Sequence, residues 1–425
     1  MRIILSFLIT LWFGLGALSA PTSLNQPGRR SFKVESVRRS NTISGPAALR
    51  KAYVKYGIVP SDIGLDLEDF EPIVKAAVTS TNKDVVEPEL TGAVSASSVE
   101  GDAAFVSPIT IGGQELVVTF DTGSSDVWVM NTRLPSASIE GRPAYDPSKS
   151  TTFQKLEGAT FNITYGDDSY AYGGVGTETI DVGGVTVKGQ SIGLPSSVSA
   201  SILEDTYTNG LVGLGFSTLN TIQPQRQRSF FETITDVLDE PVLGASLVSD
   251  GVGEYEFGVI DEAKFKGELV NASVDASSGF WKFESAWYRV GDGKLTKNTE
   301  ATATIADTGT SLMLLDQHVV DAYYAQVHGA QYVASATGYI YPCSAELPNF
   351  AIAIGPQHLA TVPGSLISFS EVGTNTTTNE AVCYGGIQSN QGLNMQILGD
   401  TFLKAFYVVF DLRGPSIGVG SPVWS

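Results

Sequence analysis

A five-residue pattern occurs twice in this chain of 425 residues, within FDTGSSDVWV from Phe120 and within ADTGTSLMLL from Ala306. The two aspartates are 186 positions apart, and each copy lies between two apolar runs. The pattern predicts a tight turn between two strands, with the glycine supplying the dihedral freedom that the turn needs. One such turn is typical of a simple strand cap, but two matched copies indicate two related lobes.

Each lobe would donate one aspartate, Asp121 or Asp307, to a shared cleft. In each loop we expect the glycine N–H to face the carboxylate, the threonine hydroxyl to bond the opposite loop, and the next hydroxyl to bond the outer carboxylate oxygen. The supporting residues are Thr122, Gly123, Ser124, Thr308, Gly309 and Thr310. Two carboxylates that face each other hold one proton in mild acid, so one can deprotonate a water while the other polarises a peptide carbonyl. This chemistry needs no metal and no cofactor.

Other chemistries find less support in the sequence. The three histidines, His318, His328 and His358, have no metal-ligand spacing and lie in no serine nucleophile motif. A glycosidase with paired carboxylates is an alternative, but that reaction wants the acids roughly 5 Å or more apart in unlike surroundings. Matched loops favour a close and symmetric pair.

The N-terminal sequence indicates export. Residues 1–20 carry one arginine followed by a continuous apolar run, which is typical of a signal peptide, and cleavage before Pro21 or before Ala20 fits equally well. A membrane anchor is the alternative, but the run is short for a spanning helix. We therefore expect a secreted, extracellular protein without a membrane anchor. In that setting Cys343 and Cys383 most simply form one disulfide, worth roughly 4 kcal/mol by chain entropy, rather than a catalytic thiol.

Charge divides the chain into a basic front and an acidic body. Residues 21–60 carry a net charge of +7, whereas residues 91–425 have 15 Lys and Arg against 36 Asp and Glu. Nucleic acid is an improbable partner for an exported chain, so we interpret the front as a pro-segment that binds the acidic body. The stretch GPAALRKAYVKYGI, with Leu49, Tyr53 and Tyr56 on one face, predicts a short amphipathic helix. An exposed connector follows, and we expect the mature N-terminus between about Val85 and Phe105.

With these motifs in this order, the chain resembles the pepsin-like aspartic proteases, and within them the secreted fungal penicillopepsin and aspergillopepsin type. The resemblance covers roughly residues 100–425. It implies a mostly β, bilobal fold with the cleft on a pseudo-two-fold axis, and Asp121 and Asp307 as the catalytic pair. NGLVGLGF and ILGDTFLKAFYVVFD match the strands that pack behind the two loops, with Gly213 and Gly399. Cys343 and Cys383 fall where the family has its second-lobe disulfide.

The resemblance also implies a substrate-covering flap at ITYGDDSYAYG. Its members would be Tyr165, Gly166 and Asp167, with Trp128 as the indole that the flap tyrosine bonds. Ile202 and Leu211 would line the pocket for the residue just before the cut, called P1. We expect large apolar side chains around the scissile bond, and Asp167 predicts that Lys is also accepted at P1. Asp168 departs from the glycine that the subgroup often has at this flap position.

The resulting organisation is a signal peptide at 1–20, a pro-segment at 21–90, an N-terminal lobe at 91–265 and a C-terminal lobe at 266–425. We expect a monomer that acts on protein and peptide substrates and is inhibited by its own pro-segment until it cleaves itself in acid. The sequence offers Lys75 and Lys83 as the pro-segment lysines that pair with the aspartates and does not choose between them. A catalytically silent relative used for binding is the alternative, but such relatives usually lose part of the motif. Three triplets fit N-glycosylation, at Asn162, Asn271 and Asn375.

Overall fold

The structure is a computed structural model and describes residues 32–35, 44–56, 93–99, 102, 104–164, 170–300, 302–356, 358–375, 378–391 and 393–424. Within these residues the fold is dominated by strands, and the predicted mostly β, bilobal pepsin-like fold is confirmed. Residues 1–20 and the flap tip at 165–169 lie outside the described part.

The strands, in chain order, are β1 Phe32–Glu35, β2 Ala93–Val99, β3 Ala104–Ile111, β4 Gln114–Asp121, β5 Val127–Val129, β6 Gln154–Thr164, β7 Tyr170–Val182, β8 Val185–Val198, β9 Gly210–Gly213, β10 Val242–Ser246, β11 Val252–Phe257, β12 Phe265–Ser273, β13 Lys282–Glu284, β14 Trp287–Val290, β15 Thr296–Lys297, β16 Ala303–Ala306, β17 Met313–Leu315, β18 Gln331–Val333, β19 Gly338–Pro342, β20 Phe350–Ile354, β21 His358–Val362, β22 Ser368–Thr374, β23 Ala381–Gly385, β24 Ile387–Ser389, β25 Gln396–Leu398, β26 Tyr407–Asp411 and β27 Ser416–Pro422.

The helices are α1 Gly45–Lys55, α2 Ser136–Ile139, α3 Ala200–Glu204, α4 Phe230–Ile234, α5 Gln317–Tyr324 and α6 Asp400–Leu403. Short 3-10 turns occur at Pro147–Lys149, Ser217–Leu219, Thr235–Val237, Glu262–Lys264, Ala276–Ser278, Ala334–Ala336 and Gly364–Leu366. No helix in the described part of the chain is both long enough and apolar enough to cross a bilayer.

A fourteen-stranded sheet joins the two lobes, in the order β12-β27-β26-β10-β11-β1-β2-β3-β4-β9-β5-β8-β7-β6. Its strands carry alternating apolar residues, as in β4, where Leu116, Val118 and Phe120 are buried. Because successive side chains of a strand point to opposite faces, this alternation places one face in the core. The second lobe adds a five-stranded sheet, β13-β16-β25-β17-β24, and two four-stranded sheets.

The two Asp-Thr-Gly loops lie in equivalent strand arrangements. In the first lobe β9 lies between β4 and β5, parallel to β4 and antiparallel to β5. In the second lobe β25 lies between β16 and β17, parallel to β16 and antiparallel to β17. Each loop therefore leaves one strand and re-enters the strand two places away, which gives the two lobes the same local topology around the aspartates.

The N-terminal segment contributes two elements to the described fold. Strand β1 lies between β11 and β2, and β11 and β2 also pair directly where β1 ends, at Val252–Ser97 and Gly253–Ala96. Helix α1 forms at the position predicted from its amphipathic pattern, with Pro46 in its first turn and strong helix formers after it. Its apolar face, including the buried Leu49 and Tyr53, packs on the second lobe.

Cys343 and Cys383 form a disulfide, with their Cα atoms 4.9 Å apart. Cys343 follows β19, and Cys383 lies in β23, which pairs with β19. The bridge therefore ties two neighbouring strands of the second lobe, in agreement with the pairing predicted from the sequence. It lies in a different sheet from the Asp307 loop and has no part in that loop's hydrogen bonds.

Candidate active site

The first aspartate loop is held by its own short hydrogen bonds. The N–H of Gly123 donates to Oδ1 of Asp121 at 2.8 Å, and the hydroxyl of Ser124 donates to Oδ2 at 2.6 Å. Both are hydrogen bonds to an ionised acceptor, which are stronger than neutral ones. The carboxylate of Asp121 is thus fixed in orientation from both of its oxygens.

The second loop repeats this arrangement. The N–H of Gly309 donates to Oδ1 of Asp307 at 3.0 Å, and the hydroxyl of Thr310 makes a short hydrogen bond to Oδ2. A Cβ added at Gly309 would collide with the Asp121 carboxylate, and one added at Gly123 would collide with that of Asp307. Both glycines are therefore required by the close approach of the opposite carboxylate.

The two loops are also bonded across the lobe interface. Thr122 donates from its hydroxyl to the carbonyl of Ala306 at 3.0 Å, and Thr308 donates to the carbonyl of Phe120 at 2.8 Å. Each threonine hydroxyl in turn accepts the backbone N–H of the other threonine, at 3.0 and 3.1 Å. These four buried bonds fix the separation of the two aspartates.

The strands that pack behind the two aspartate loops approach them so closely that neither Gly213 nor Gly399 has room for a side chain. A Cβ at Gly213 would lie 2.6 Å from the backbone N and Cα of Ser125, and one at Gly399 would overlap the carbonyl of Thr310. Such distances are shorter than any ordinary contact between non-bonded atoms. Gly213 and Gly399 thus let β9 and β25 press directly against the two loops.

Lys55, the last residue of α1, lies between the two carboxylates. Its Nζ is 2.6 Å from Oδ1 of Asp121 and 2.8 Å from both oxygens of Asp307. Tyr56 follows, and its hydroxyl donates to Oδ2 of Asp307 at 2.5 Å. The sequence had offered Lys75 and Lys83 for this contact. The sequence analysis did not consider Lys55 for this contact, and in that respect it was wrong. Lys75 and Lys83 lie outside the described residues.

The pKa values of Lys55, Asp121 and Asp307 are set by their burial and by the attraction between the ammonium and the two carboxylates. Burial would lower the pKa of Lys55, but the two carboxylates together raise it above its usual value. Burial, together with the neighbouring Asp307, raises the pKa of Asp121 although Lys55 opposes the change. Burial would likewise raise the pKa of Asp307, but Lys55 and the hydrogen bonds to Asp307 hold it below its usual range. As the pH falls, Asp121 therefore takes up a proton before Asp307.

A third carboxylate, which the sequence analysis did not single out, supports the first loop. Asp126 accepts hydrogen bonds from the Nδ2 atom of Asn220 and the N–H of Thr221, both at 3.1 Å. Burial raises the pKa of Asp126 to about 6. Asp126 ends the run DTGSSD that begins at Asp121, so the sequence did contain a signal for a carboxylate close to the first loop.

The predicted pocket residues come together in one apolar cluster of the first lobe. Trp128 lies there with Ile202 and Leu211 at its partly buried edge. The indole Nε1 of Trp128 is buried and has no hydrogen-bond partner among the described residues. Tyr165, Gly166, Asp167 and Asp168 lie outside the described residues, so the expected bond between Trp128 and the flap tyrosine stays a prediction.

Comparisons with known proteins agree on one family. The model for "Eukaryotic aspartyl protease" matches residues 104–421. A putative aspergillopepsin A-like aspartic endopeptidase of Aspergillus fumigatus is 63% identical over 422 residues, covering 98% of this chain and 99% of the relative. Aspergillopepsin-1 of Aspergillus oryzae is 40% identical over 427 residues, covering 98% of each chain. Endothiapepsin of Cryphonectria parasitica is 40% identical over 430 residues, covering 97% of this chain and 98% of the relative.

Proposed function

This chain belongs to the eukaryotic aspartyl protease family and is an aspartic endopeptidase, and from that premise we propose that it is made as a secreted zymogen whose N-terminal segment closes its own active site. The single observation that carries the proposal is the position of Lys55 between both carboxylates. A water that attacks a peptide must occupy the place where this ammonium lies. The segment therefore excludes the reacting water as well as the substrate.

In this proposal Asp121 and Asp307 are the catalytic pair. Once Lys55 has left, the two buried carboxylates face each other without a cation between them and share one proton. The ionised member takes a proton from the attacking water, and the protonated member donates to the carbonyl oxygen of the substrate. The hydrogen bonds from Gly123 and Gly309 hold both carboxylates in orientation, so little reorganisation accompanies the reaction.

The segment is retained by apolar packing as well as by charge. Leu49 is fully buried and Tyr53 is 3% exposed, and the Tyr53 hydroxyl donates to the carbonyl of Ser389 at 2.7 Å. Burying one such side chain is worth about 1.5–3 kcal/mol. These contacts explain why a helix of eleven residues remains on the body of the chain.

Specificity follows from the pocket and the flap. We propose that large apolar P1 side chains contact Ile202 and Leu211, beneath Tyr165. An ionised Asp167 at the pocket mouth would accept the ammonium of a P1 lysine while the aliphatic stem of that lysine lies on the apolar wall. The competing interpretation is that Asp167 only stabilises the hairpin turn.

Export and modification complete the proposal. We propose that residues 1–20 direct secretion, that residues 21–90 are removed, and that the mature protein is a monomer. Asn162, Asn271 and Asn375 have exposed side chains, as glycosylation requires. A glycan at Asn162, on β6 close to the flap, would narrow access to the cleft.

Self-processing tests the zymogen proposal directly. The full-length exported chain is purified at neutral pH, shifted to acid and followed by gel and N-terminal sequencing. We expect a new N-terminus between about Val85 and Phe105, and block of the activity by a statine-type inhibitor. The matched control is the Asp307→Asn chain. If that chain trims itself at an undiminished rate in the absence of another protease, the proposal of self-processing is refuted.

A further inference from the structure

A basic hairpin lies in the second lobe, away from the aspartate loops. Strands β14 and β15 pair antiparallel, and residues 287–297, which we call the basic hairpin, carry Arg289, Lys294 and Lys297 against one acid, Asp292. The next hundred positions contain no Lys or Arg until Lys404. Within the described residues, none of the three cations of the hairpin takes part in an ion pair. Their charge is thus left uncompensated on an otherwise acidic body.

The same face of the sheet offers apolar surface and a cavity. Trp287, Leu295 and Leu359 are exposed by 36%, 50% and 37%. Arg289 lies opposite the small Ala351 of β20, and both line a cavity of about 560 Å³. The Nε atom of Arg289 is buried and has no hydrogen-bond partner among the described residues. Because an N–H withdrawn from water is costly without a partner, the cavity favours a ligand that supplies an acceptor.

The pro-segment has two halves of opposite charge. Residues 21–60 carry a net charge of +7, whereas residues 61–90 carry eight acids against Lys75 and Lys83, a net charge of −6. Five of those acids lie within residues 62–71, DIGLDLEDFE, together with four large apolar residues and no cation. The acidic body of the chain repels such a run. The basic hairpin, by contrast, complements it in charge and also offers apolar contacts.

The basic hairpin lies close to the cleft end of α1. The hydroxyl of Tyr53 donates to the carbonyl of Ser389 at 2.7 Å, and Nδ2 of the next residue, Asn390, donates to Asp316 at 2.7 Å. Asp316 also accepts a hydrogen bond, at 2.6 Å, from Nδ2 of Asn298, which directly follows β15. The acidic run begins six positions (62 − 56) after the described helical segment ends, and six extended residues span up to about 20 Å. The run can therefore reach the hairpin.

We propose that the basic hairpin is the docking surface for the acidic segment 62–71 of the same chain. Arg289 binds a carboxylate of the segment in the cavity, and apolar side chains of the segment cover Trp287 and Leu295. Exposed ion pairs are individually weak, but a tethered segment meets its surface at an effective concentration on the order of mM. The contact holds the acidic half of the pro-segment on the second lobe while α1 occupies the cleft. It goes beyond the proposed function, because it does not require the chain to cut itself.

Carbodiimide cross-linking of the full-length Asp307→Asn chain at neutral pH tests this contact. The reagent joins a carboxylate to a neighbouring lysine amine by an amide bond and takes up the water that is lost, and mass spectrometry of monomeric chains of full mass locates the bond. We expect residues 62–71 to be joined to Lys294 or Lys297. The yield should decrease about fivefold between about 0.01 M and about 1 M salt, as the Debye length falls from about 30 Å to about 3 Å. Lys188, exposed on the first lobe, should not be joined to this segment.

Variants that keep the reacting lysines separate attraction from mere reactivity. Arg289→Glu should lower the cross-linking yield about fivefold, whereas Arg289→Lys should retain most of it. Asp66→Asn combined with Asp69→Asn changes only the segment, leaves three of its carboxylates, and should lower the yield about threefold or more. This second variant keeps the test readable if Arg289→Glu fails to fold by circular dichroism. Lys188→Glu is the matched control and should leave the yield unchanged.

Several results would overturn the inference. They are the absence of bonds to Lys294 and Lys297, a yield that does not respond to salt, and an unchanged yield in the Arg289→Glu and double-Asn chains. A mixture of unlabelled and isotope-labelled chains distinguishes bonds within one chain from bonds between two. Bonds only between two chains would assign the surface to a second copy instead. Self-processing is read separately by N-terminal sequencing and depends on Lys55, so failure of one proposal leaves the other standing.

Discussion

Replacing Lys55 by methionine separates the charge of the segment from its packing. Methionine keeps the length and helix propensity of lysine but removes the ammonium that lies 2.6 Å from Asp121 and 2.8 Å from Asp307. Removing one partner of a buried ion pair costs about 3–5 kcal/mol, and here the facing carboxylates recover part of that cost by sharing a proton. A net loss of about 3 kcal/mol corresponds to roughly two decades in the closed-to-open ratio. We therefore expect about a hundredfold more activity from the unprocessed variant near neutral pH.

The pH dependence has a definite sign. The lowered pKa of Asp307 means that its contribution to closure is present above the ordinary aspartate pKa and is lost as the pH falls toward the lowered value. The raised pKa of Asp121 means that its contact with Lys55 weakens earlier, at a pH above the ordinary value. The raised pKa of Lys55 confines loss of its own charge to alkaline solution. Closure of the wild type should therefore weaken in acid, whereas closure of Lys55→Met should not.

The assay is the initial rate on a fluorogenic peptide, read before any chain shortening is visible on a gel, at neutral and at acid pH. Lys51→Met is the matched control, because its half-exposed ion pair with Asp205 contributes about 0–1 kcal/mol. Circular dichroism checks that both variants fold. If Lys55→Met is as inactive as the wild type before processing and opens with the same pH dependence, the ammonium does not hold the segment closed.

Three further outcomes are expected. Asp121→Asn and Asp307→Asn should each lower the hydrolysis rate at least a hundredfold while circular dichroism stays unchanged, and a variant that retains more than a few per cent of the rate contradicts proton sharing. Thiol titration of the denatured protein should find neither Cys343 nor Cys383 free, and inactivation by an alkylating reagent without prior reduction would count against a purely structural bridge. Cleavage after Lys should decrease relative to cleavage after Phe as the pH drops toward about 3, since an unperturbed aspartate titrates near pH 4, and Asp167→Ser should abolish that difference. An equal loss of both cleavages in Asp167→Ser would make Asp167 a turn residue.

The aspartate loops could be located from the sequence because their constraints are local. A glycine two residues after an aspartate, followed by a hydroxyl, describes a turn whose hydrogen bonds close within four residues. The repetition of that pattern then predicts the pairing of lobes. The expected bond from each threonine hydroxyl to the opposite loop is also present, and the structure adds its acceptor, which is the carbonyl of the residue just before the other aspartate.

The position of Lys55 could not be chosen in the same way. Its contact with Asp307 spans 252 positions and depends on where α1 lies on the second lobe. The amphipathic pattern did identify the helix, and the pair Lys55–Tyr56 at its end was visible. Nothing in the local sequence, however, distinguishes a lysine that enters a cleft from one that stays solvated.

The position of strand β1 bears on whether the proposed activation can be reversed. β1 separates β2 from β11, since Glu35 pairs with Ser95 on one side and with Glu254 on the other. Just beyond Glu35, β2 and β11 pair directly with each other. Continued in the same register, that ladder would pair Ser95 with Glu254 and then Ala93 with Glu256. If the segment leaves through a cut before Ala93, β2 stays with the enzyme and can pair along β11 in the position that β1 occupied. A detached segment that binds again must displace β2, which is covalently held next to that position. We therefore expect the detached segment to be a poor inhibitor of the mature enzyme.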